Sequence, residues 1–251
     1  MPDYDFRAPR LFVDATLAPG ATVALERDQS NYLGNVLRLK SGDGILVFNG
    51  RDGEWQASLS GRKRPDQLTI GSQTRPQDSL PDLAYVFAPL KHARLDYMVQ
   101  KAVEMGAARL QPVLTRHTQV ARVNGARMRA NAIEAAEQCG ILTLAEVADP
   151  LTLERFLGER DGHRLLVFCD ETADVADPLA ALTAARTAGQ GIDVLIGPEG
   201  GFAEAERALL LRQPRRLRLS LGPRILRADT AGVAALALVQ TALGDWTGPP
   251  K

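Results

Sequence analysis

Leu195-Ile-Gly-Pro-Glu-Gly-Gly201 and Leu221-Gly-Pro-Arg-Ile-Leu-Arg-Ala-Asp-Thr230 decide the reading of this chain. Apolar runs at 193–196 and 217–221 lead into them, and each run reads as a short buried strand. Both segments therefore set backbone free of bulky side chains at the carboxyl edge of a sheet, where open α/β folds hold ligands. Gly197, Gly200 and Gly201 permit positive φ and close approach, so bare amides and carbonyls there can read an adenine edge or a ribose. Taken singly, either segment reads equally well as a tight strand-to-helix turn. The spacing is not G-x-G-x-x-G and the K-[ST] of a phosphate loop is absent, so neither nucleotide fingerprint gains support.

Strands and helices alternate on both sides of these segments, the rhythm of a mostly parallel sheet covered on both faces. Strands are expected at 84–88, 109–114, 164–169, 193–196 and 217–221. Leu95, Val99 and Ala102 stripe a first helix that Gly106 ends, and a second runs over 126–139 and stops at Gly140. The last, at 230–243, carries Val233, Leu236, Ala237, Val239 and Gln240 and should be buried on most sides. Upstream, short alternating segments at 22–25, 44–48, 54–59 and 67–71 lie between Gly, Pro, Asn and Asp turn signals, which predicts a small β-barrel. A helical stretch at 29–37 interrupts it, with Tyr32, Leu33, Val36 and Leu37 at helical spacing. Two prolines break all periodicity at 74–81, which places a boundary between domains at 1–75 and 76–251.

Thirty basic residues balance thirty acidic ones in a chain of 251, so bulk charge does not hold a nucleic acid, although a local basic face remains open. Only five of the basic residues are lysines; genome composition bias explains this as readily as bidentate phosphate recognition does. Cys139 and Cys169 fall in segments expected to be buried, as core residues of a reducing cytosol. No leader or membrane-length apolar run is present, and a soluble cytoplasmic protein is expected. His92, His117 and His163 stand apart from each other and from any cysteine at ligand spacing, so no metal is expected. No G-x-S-x-G elbow occurs. Glu134 and Glu137 are expected to serve the surface of their helix and its neighbours, not paired acid/base chemistry. Between Gly106 and Ile133, and again between Arg212 and Arg227, arginines occur without a single acid, as RNA phosphate contacts would require.

The two glycine segments together, with Lys101-Ala-Val-Glu-Met-Gly106, Ala135-Ala-Glu-Gln-Cys-Gly140, Pro9-Arg-Leu-Phe12, Tyr32-Leu-Gly-Asn-Val-Leu-Arg-Leu-Lys-Ser-Gly-Asp43 and Val47-Phe-Asn-Gly50, closely resemble the bacterial 16S ribosomal RNA uridine-N3 methyltransferases. These belong to the SPOUT superfamily. The resemblance implies an α/β fold whose C-terminal domain ties a deep trefoil knot around S-adenosylmethionine, preceded by a PUA-like β-barrel that binds RNA, in a homodimer acting on the small ribosomal subunit. It implies a cofactor site at Phe168, Ile196, Gly197, Pro198, Glu199, Gly200, Gly201, Leu219, Leu221, Gly222, Ile225 and Leu226. Arg10, Arg38, Lys40 and Arg116 are the implied RNA contacts. For methyl transfer to N3 the protein must align nitrogen and methyl carbon and favour the uridine anion. Arg227 is the candidate to stabilise charge on the flanking carbonyl oxygens, with a structural salt bridge as its alternative.

Five positions depart from the family pattern. Ala228 and Asp229 replace a usual Thr-Glu, which weakens a direct base role for Asp229 while leaving helix capping open. Ile141 stands in place of an arginine, Ala203 in place of a helix-capping serine, and Tyr97 in place of a phenylalanine or tryptophan. The competing expectation is a non-catalytic ribosome assembly factor on the same fold. A nicotinamide oxidoreductase would need an acid within 215–220, and none occurs there.

Overall fold

The computed structural model describes residues 8–120, 122–170, 173, 177–187 and 189–246. They divide into two compact units, one formed by residues up to Ser79 with Ala136–Leu144, the other by Leu80–Ala135 with the chain from Ala145 onward.

The first unit is built on β1 (Arg10–Phe12), β2 (Thr22–Ala24), α1 (Arg27–Asn31), β3 (Gly44–Phe48), β4 (Glu54–Ser60) and β5 (Gln67–Arg75). The strands pair in the order β1-β3-β4-β5-β2, parallel between β1 and β3 and antiparallel elsewhere. Hydrogen bonding does not close the ring between β1 and β2, so the expected barrel is an open one. All five strands and Leu33 feed a single apolar cluster, and the bulge between Trp55 and Ala57 supplies the bend this needs. The stretch expected as one helix over 29–37 is α1 followed by a π-helical turn, Tyr32–Val36, closed by Leu37 N donating to Tyr32 O. That wider turn rotates the register, which buries Leu33 and turns Val36 outward at 61% exposure.

Strand β5 runs on to Arg75, into the stretch expected as linker, because Arg75 lies opposite Glu54 and grips its carboxylate with Nε–Oε2 at 2.9 Å and Nη2–Oε1 at 2.7 Å. Thr74 Oγ1 donates to the same carboxylate, as does Arg10 Nε at 3.1 Å. Arg10, expected to grip RNA, is therefore committed inward, its side chain only 5% exposed. Arg75 Nη2 also donates to Gly140 O, and Glu137 Oε1 accepts from Phe12 N at 2.8 Å, so the end of the helix carrying Glu137 belongs to this unit. Glu137 thus ties its helix to a neighbouring element. Cys139, expected buried, is exposed.

The second unit holds β6 (Leu83–Phe87), α2 (His92–Glu104), β7 (Arg109–Leu114), α3 (Gly125–Cys139), β8 (Glu146–Val147), β9 (Leu151–Thr152), α4 (Leu153–Glu159), β10 (Leu165–Cys169), α5 (Pro178–Ala184), β11 (Ile192–Ile196), α6 (Glu204–Arg212), β12 (Arg216–Leu219) and α7 (Ala228–Leu243). Every pairing is parallel in the order β12-β10-β11-β6-β7-β8, with β9 paired to β7. Residues of β6 and β11 are buried throughout, as a sheet covered on both faces demands. β12 ends at Leu219, two residues earlier than expected, since Leu219 O accepts the last rung from Asp170 N. Helix α7 starts at Ala228 and packs close: a Cβ on Gly232 would lie 2.3 Å from the Tyr85 hydroxyl. Gln240, fully buried, donates to Met105 O at 2.6 Å and accepts from Asp245 N, and Gly106 at φ +80° leaves room for it. At the amino edge buried Asp193 is neutralised by Arg160 and Arg164, and Arg164 also reaches Asp82.

Burial pushes the Glu54 carboxyl up, but hydrogen bonds and charge from Arg75, Thr74 and Arg10 outweigh it and hold the group below its ordinary value of 4.5. A depressed native value means that the network stabilises fully above the unfolded value and fades as pH falls through the native one. Glu54→Ala, which removes the buried carboxylate shared by Arg10, Arg75 and Thr74, is expected to cost about 3–5 kcal/mol in urea unfolding at pH 7. The cost should shrink in acid, and an unchanged midpoint at pH 7 would show that the network contributes nothing.

Candidate active site

Because the sheet is parallel, the chain leaves β10, β11 and β12 at one edge, and a cavity of about 460 Å³ opens there. Its walls are the turn after β11, the longer loop between β12 and α7, and Cys169 and Asp170 at the end of β10. Of the residues expected around a cofactor, Ile196, Gly197, Pro198, Glu199, Gly200, Gly201, Leu219, Leu221, Gly222, Ile225 and Leu226 all line it. Phe168 does not. It is fully buried and points into the core with Leu166, Leu195 and Leu210, since alternate residues of a strand face opposite sides. Cys169, expected in the core, is partly exposed on the cavity wall.

The glycines are there for space. Gly201 and Gly222 adopt φ of +68° and +92°, and a Cβ on Gly197 would meet the Phe202 ring at 2.9 Å. A Cβ on Gly200 would come within 3.3 Å of His117 Cβ, so the turn after β11 lies directly against the loop after β7. Glu206 fixes this contact from behind. One carboxylate oxygen accepts from Ala203 N, the reciprocal half of a capping box, and the other from Arg116 N at 2.8 Å. Ala203 has no oxygen to supply the other half, as its sequence implied. Buried Asp170 takes Arg218 Nε at 2.8 Å and Arg207 Nη2 at 3.1 Å on one oxygen.

Arg94, which sequence reasoning passed over, joins the two halves of the site. Its Nε donates to Asp229 Oδ2 at 2.9 Å, and its Nη1 pairs with Glu199. Asp229 Oδ1 also accepts from Thr230 N. Arg94 lowers the Asp229 carboxyl against the opposing pull of burial, and both acids raise the Arg94 guanidinium further above its usual range. Asp229 is thus an anchored carboxylate, poorly suited to take up a proton. Arg227 caps α7 with its backbone, is exposed, and has no side-chain partner among the described residues, so the structural salt bridge is not formed. Arg38, Lys40 and Arg116 are exposed; Arg38 sits at φ +59° just after the π-helical turn.

A second cavity, about 200 Å³, adjoins the first through shared Pro198 and Glu199 and is closed by Pro89, Lys91, Arg94, His117 and Gln119. It continues into a third of about 420 Å³ lined by Lys91, Gln119, Arg122, Asn124 and Arg127. Of these cations Arg127 is paired with Asp96, while Lys91 and Arg122 have no acid among the described residues. No group of three or more His, Cys, Asp or Glu able to hold a metal ion occurs among the described residues, and no described helix is long and apolar enough to cross a membrane.

An all-parallel sheet with a bare-backbone cavity at its carboxyl edge defines a ligand-binding α/β unit, and the separate open β-unit carries exposed arginines. The chain belongs to the RNA methyltransferase family: its model for the methyltransferase domain matches residues 77–240, and that for the associated PUA domain matches 25–69. Ribosomal RNA small subunit methyltransferase E of Synechocystis is 33% identical over 94% of this chain and 78% of its own. The enzyme of that name from Rickettsia conorii is 29% identical over 92% of this chain and 94% of its own. The crystal structure of the Neisseria gonorrhoeae enzyme of that name, bound to S-adenosylmethionine, superposes with a TM-score of 0.82 at 28% identity, covering 96% of this chain and all of that one.

Removing Arg94 by Arg94→Ala should let the Asp229 carboxyl rise toward its ordinary value of 3.8, read by carbon NMR titration of labelled aspartate. An unshifted titration would mean that Arg94 does not hold Asp229 in solution.

Proposed function

We propose that this protein transfers the methyl group of S-adenosylmethionine to N3 of a uridine in the 16S ribosomal RNA of the small subunit. The observation that carries this reading is the cavity in which eleven of the twelve residues implied by family resemblance meet, in a chain of the RNA methyltransferase family. The cavity suits the cofactor on its own terms. Apolar Ile196, Leu219, Leu221 and Leu226 offer faces for an adenine, and the exposed backbone of the two glycine turns offers amides and carbonyls to its edge and to a ribose. When bound there, the cofactor supplies an electrophilic methyl on a sulfonium.

The domain division is proposed at 1–75 and 76–251, with a SPOUT trefoil knot in the second part. Strand order supports the knot: β11 lies between β6 and β10, both formed earlier in the chain, and β12 then returns beyond β10. Homodimerisation in the cytoplasm is proposed as well. Ile225 is 94% exposed and Leu179 41%, and Pro178, next to Leu179 in the chain, lines an apolar hollow with Leu221, Ala234, Ala237 and Leu238, features suited to a second copy of the chain. Arg38, Lys40 and Arg116 are the proposed RNA contacts; Arg10 is not, being spent on Glu54. Arg227, without a side-chain partner among the described residues, is the proposed stabiliser of charge on the uridine carbonyl oxygens. Asp229 acts through Arg94 as a positioning residue.

Tritium should pass from the labelled methyl donor into 30S subunits, and nuclease digestion should place it in 3-methyluridine. Binding without transfer would favour an assembly factor. Arg227→Ala should lower kcat about 100-fold or more with methyl-donor affinity unchanged, the size of effect seen when one charge-stabilising donor is removed. Unaltered turnover would take Arg227 out of the mechanism.

A further inference from the structure

Methylation at N3 leaves one requirement unmet by the residues above: the nitrogen carries a proton that must go somewhere. The carboxylates around the cavities are already engaged. Asp229 and Glu199 are held by Arg94, Asp170 by Arg207 and Arg218, and Glu206 by the amides of Ala203 and Arg116. Arg94 holds the Asp229 carboxyl below its ordinary value, which makes it a weaker base.

His117 is differently placed. It closes the small cavity that adjoins the proposed cofactor cavity across Pro198 and Glu199. Its Nδ1 lies 3.0 Å from Gly201 O, and a carbonyl oxygen can only accept, so Nδ1 carries the hydrogen. The neutral ring is thereby fixed as the tautomer whose free lone pair is on Nε2, an atom with no partner among the described residues. The contact exists because position 200 has no side chain; a Cβ there would press on His117 at 3.3 Å. Lys91 and Arg94 from the start of α2, Glu199 from the glycine turn, Arg116 beside it in sequence and Glu206 behind are the charged groups around the ring.

Resting on the methyltransferase reading, we propose that His117 Nε2 is the proton acceptor for N3 of the target uridine, which enters the cavity walled by Lys91, His117, Gln119 and Glu199. As the N3–H bond breaks, its proton passes to Nε2 and its electron pair forms the new N–CH₃ bond, while the C–S bonding pair stays on sulfur. The imidazolium so formed keeps its Nδ1 donor on Gly201 O and loses the second proton to water in the adjoining groove. The glycine turn would then serve both partners: its backbone holds the methyl donor on one side and orients the base on the other.

His117→Asn tests this, because the asparagine amide can keep the bond to Gly201 O while the basic lone pair is lost. At neutral pH kcat should fall about 100-fold or more, the usual worth of a general base. Methyl-donor affinity by calorimetry and the thermal midpoint should stay as in the wild type, and the defect should narrow as pH rises and the uridine loses its proton unaided. Added imidazole should partly restore His117→Ala. Nitrogen NMR of the ligand-free wild-type protein should show His117 protonated on Nδ1 when neutral. An Nε2-protonated ring, or an asparagine variant with wild-type turnover and pH profile, would overturn the assignment. A wild-type protein that transfers no methyl to 30S subunits would instead overturn the methyltransferase reading, and this proposal with it.

Discussion

The parallel alignment of β10, β11 and β12 is the constraint on which the rest of the second unit depends. All residues of β11 are buried, so its backbone groups must be paired on both sides, and β10 and β6 supply those partners. Parallel pairing sends all three chain exits to one edge. Consecutive parallel strands need crossovers, so the connections at that edge turn sharply back over the sheet, and only residues without bulk can make such turns side by side. The cavity between the glycine turns follows from these two requirements, with Gly201 and Gly222 at positive φ as its visible consequence.

Arginine is the second recurring element, and the structure gives its abundance a role that composition alone did not disclose. Glu54, Asp170, Asp193 and Asp229 are each met by one or two guanidinium groups. A planar fork can serve two carboxylates at once, as Arg94 does for Asp229 and Glu199, where a lysine ammonium would offer a single point charge. Much of the positive charge is therefore spent inside the protein. The positive charge left exposed within the acid-free stretches is less than the sequence suggested, since Arg109 and Arg127 there are paired with Glu146 and Asp96, and Arg218 with Asp170.

The long buried strands and the helices ended by Gly106 and Gly140 were legible in the sequence because period and punctuation are local signals. The walls of the cavity were legible for the same reason, being two contiguous stretches. Phe168 was misassigned for want of one fact, the direction in which alternate residues of β10 point. Arg10 was misassigned because its partner Glu54 lies forty-four positions away, and nothing in the sequence pairs them. The short β8, β9, α4 and α5 gave too few residues for a period to be read. The π-helical turn kept an ordinary helical pattern of apolar residues while changing which of them face inward.

Arg94 and His117 show the limit most plainly, and in chemical terms. Each is an isolated polar residue outside any motif, and each takes its role from a partner reached only through the fold: Asp229 lies 135 positions from Arg94, and Gly201 lies 84 from His117. A search for bases in the sequence goes to carboxylates, since an acid inside a glycine-rich motif looks functional. Folding reverses that preference. Asp229, Glu199, Asp170 and Glu206 all become anchors once an arginine or an amide reaches them, and at Asp229 that bond holds the carboxyl below its ordinary value. The group left for proton transfer is the one whose own anchor, a carbonyl oxygen, engages only its donor nitrogen and leaves the lone pair opposite untouched.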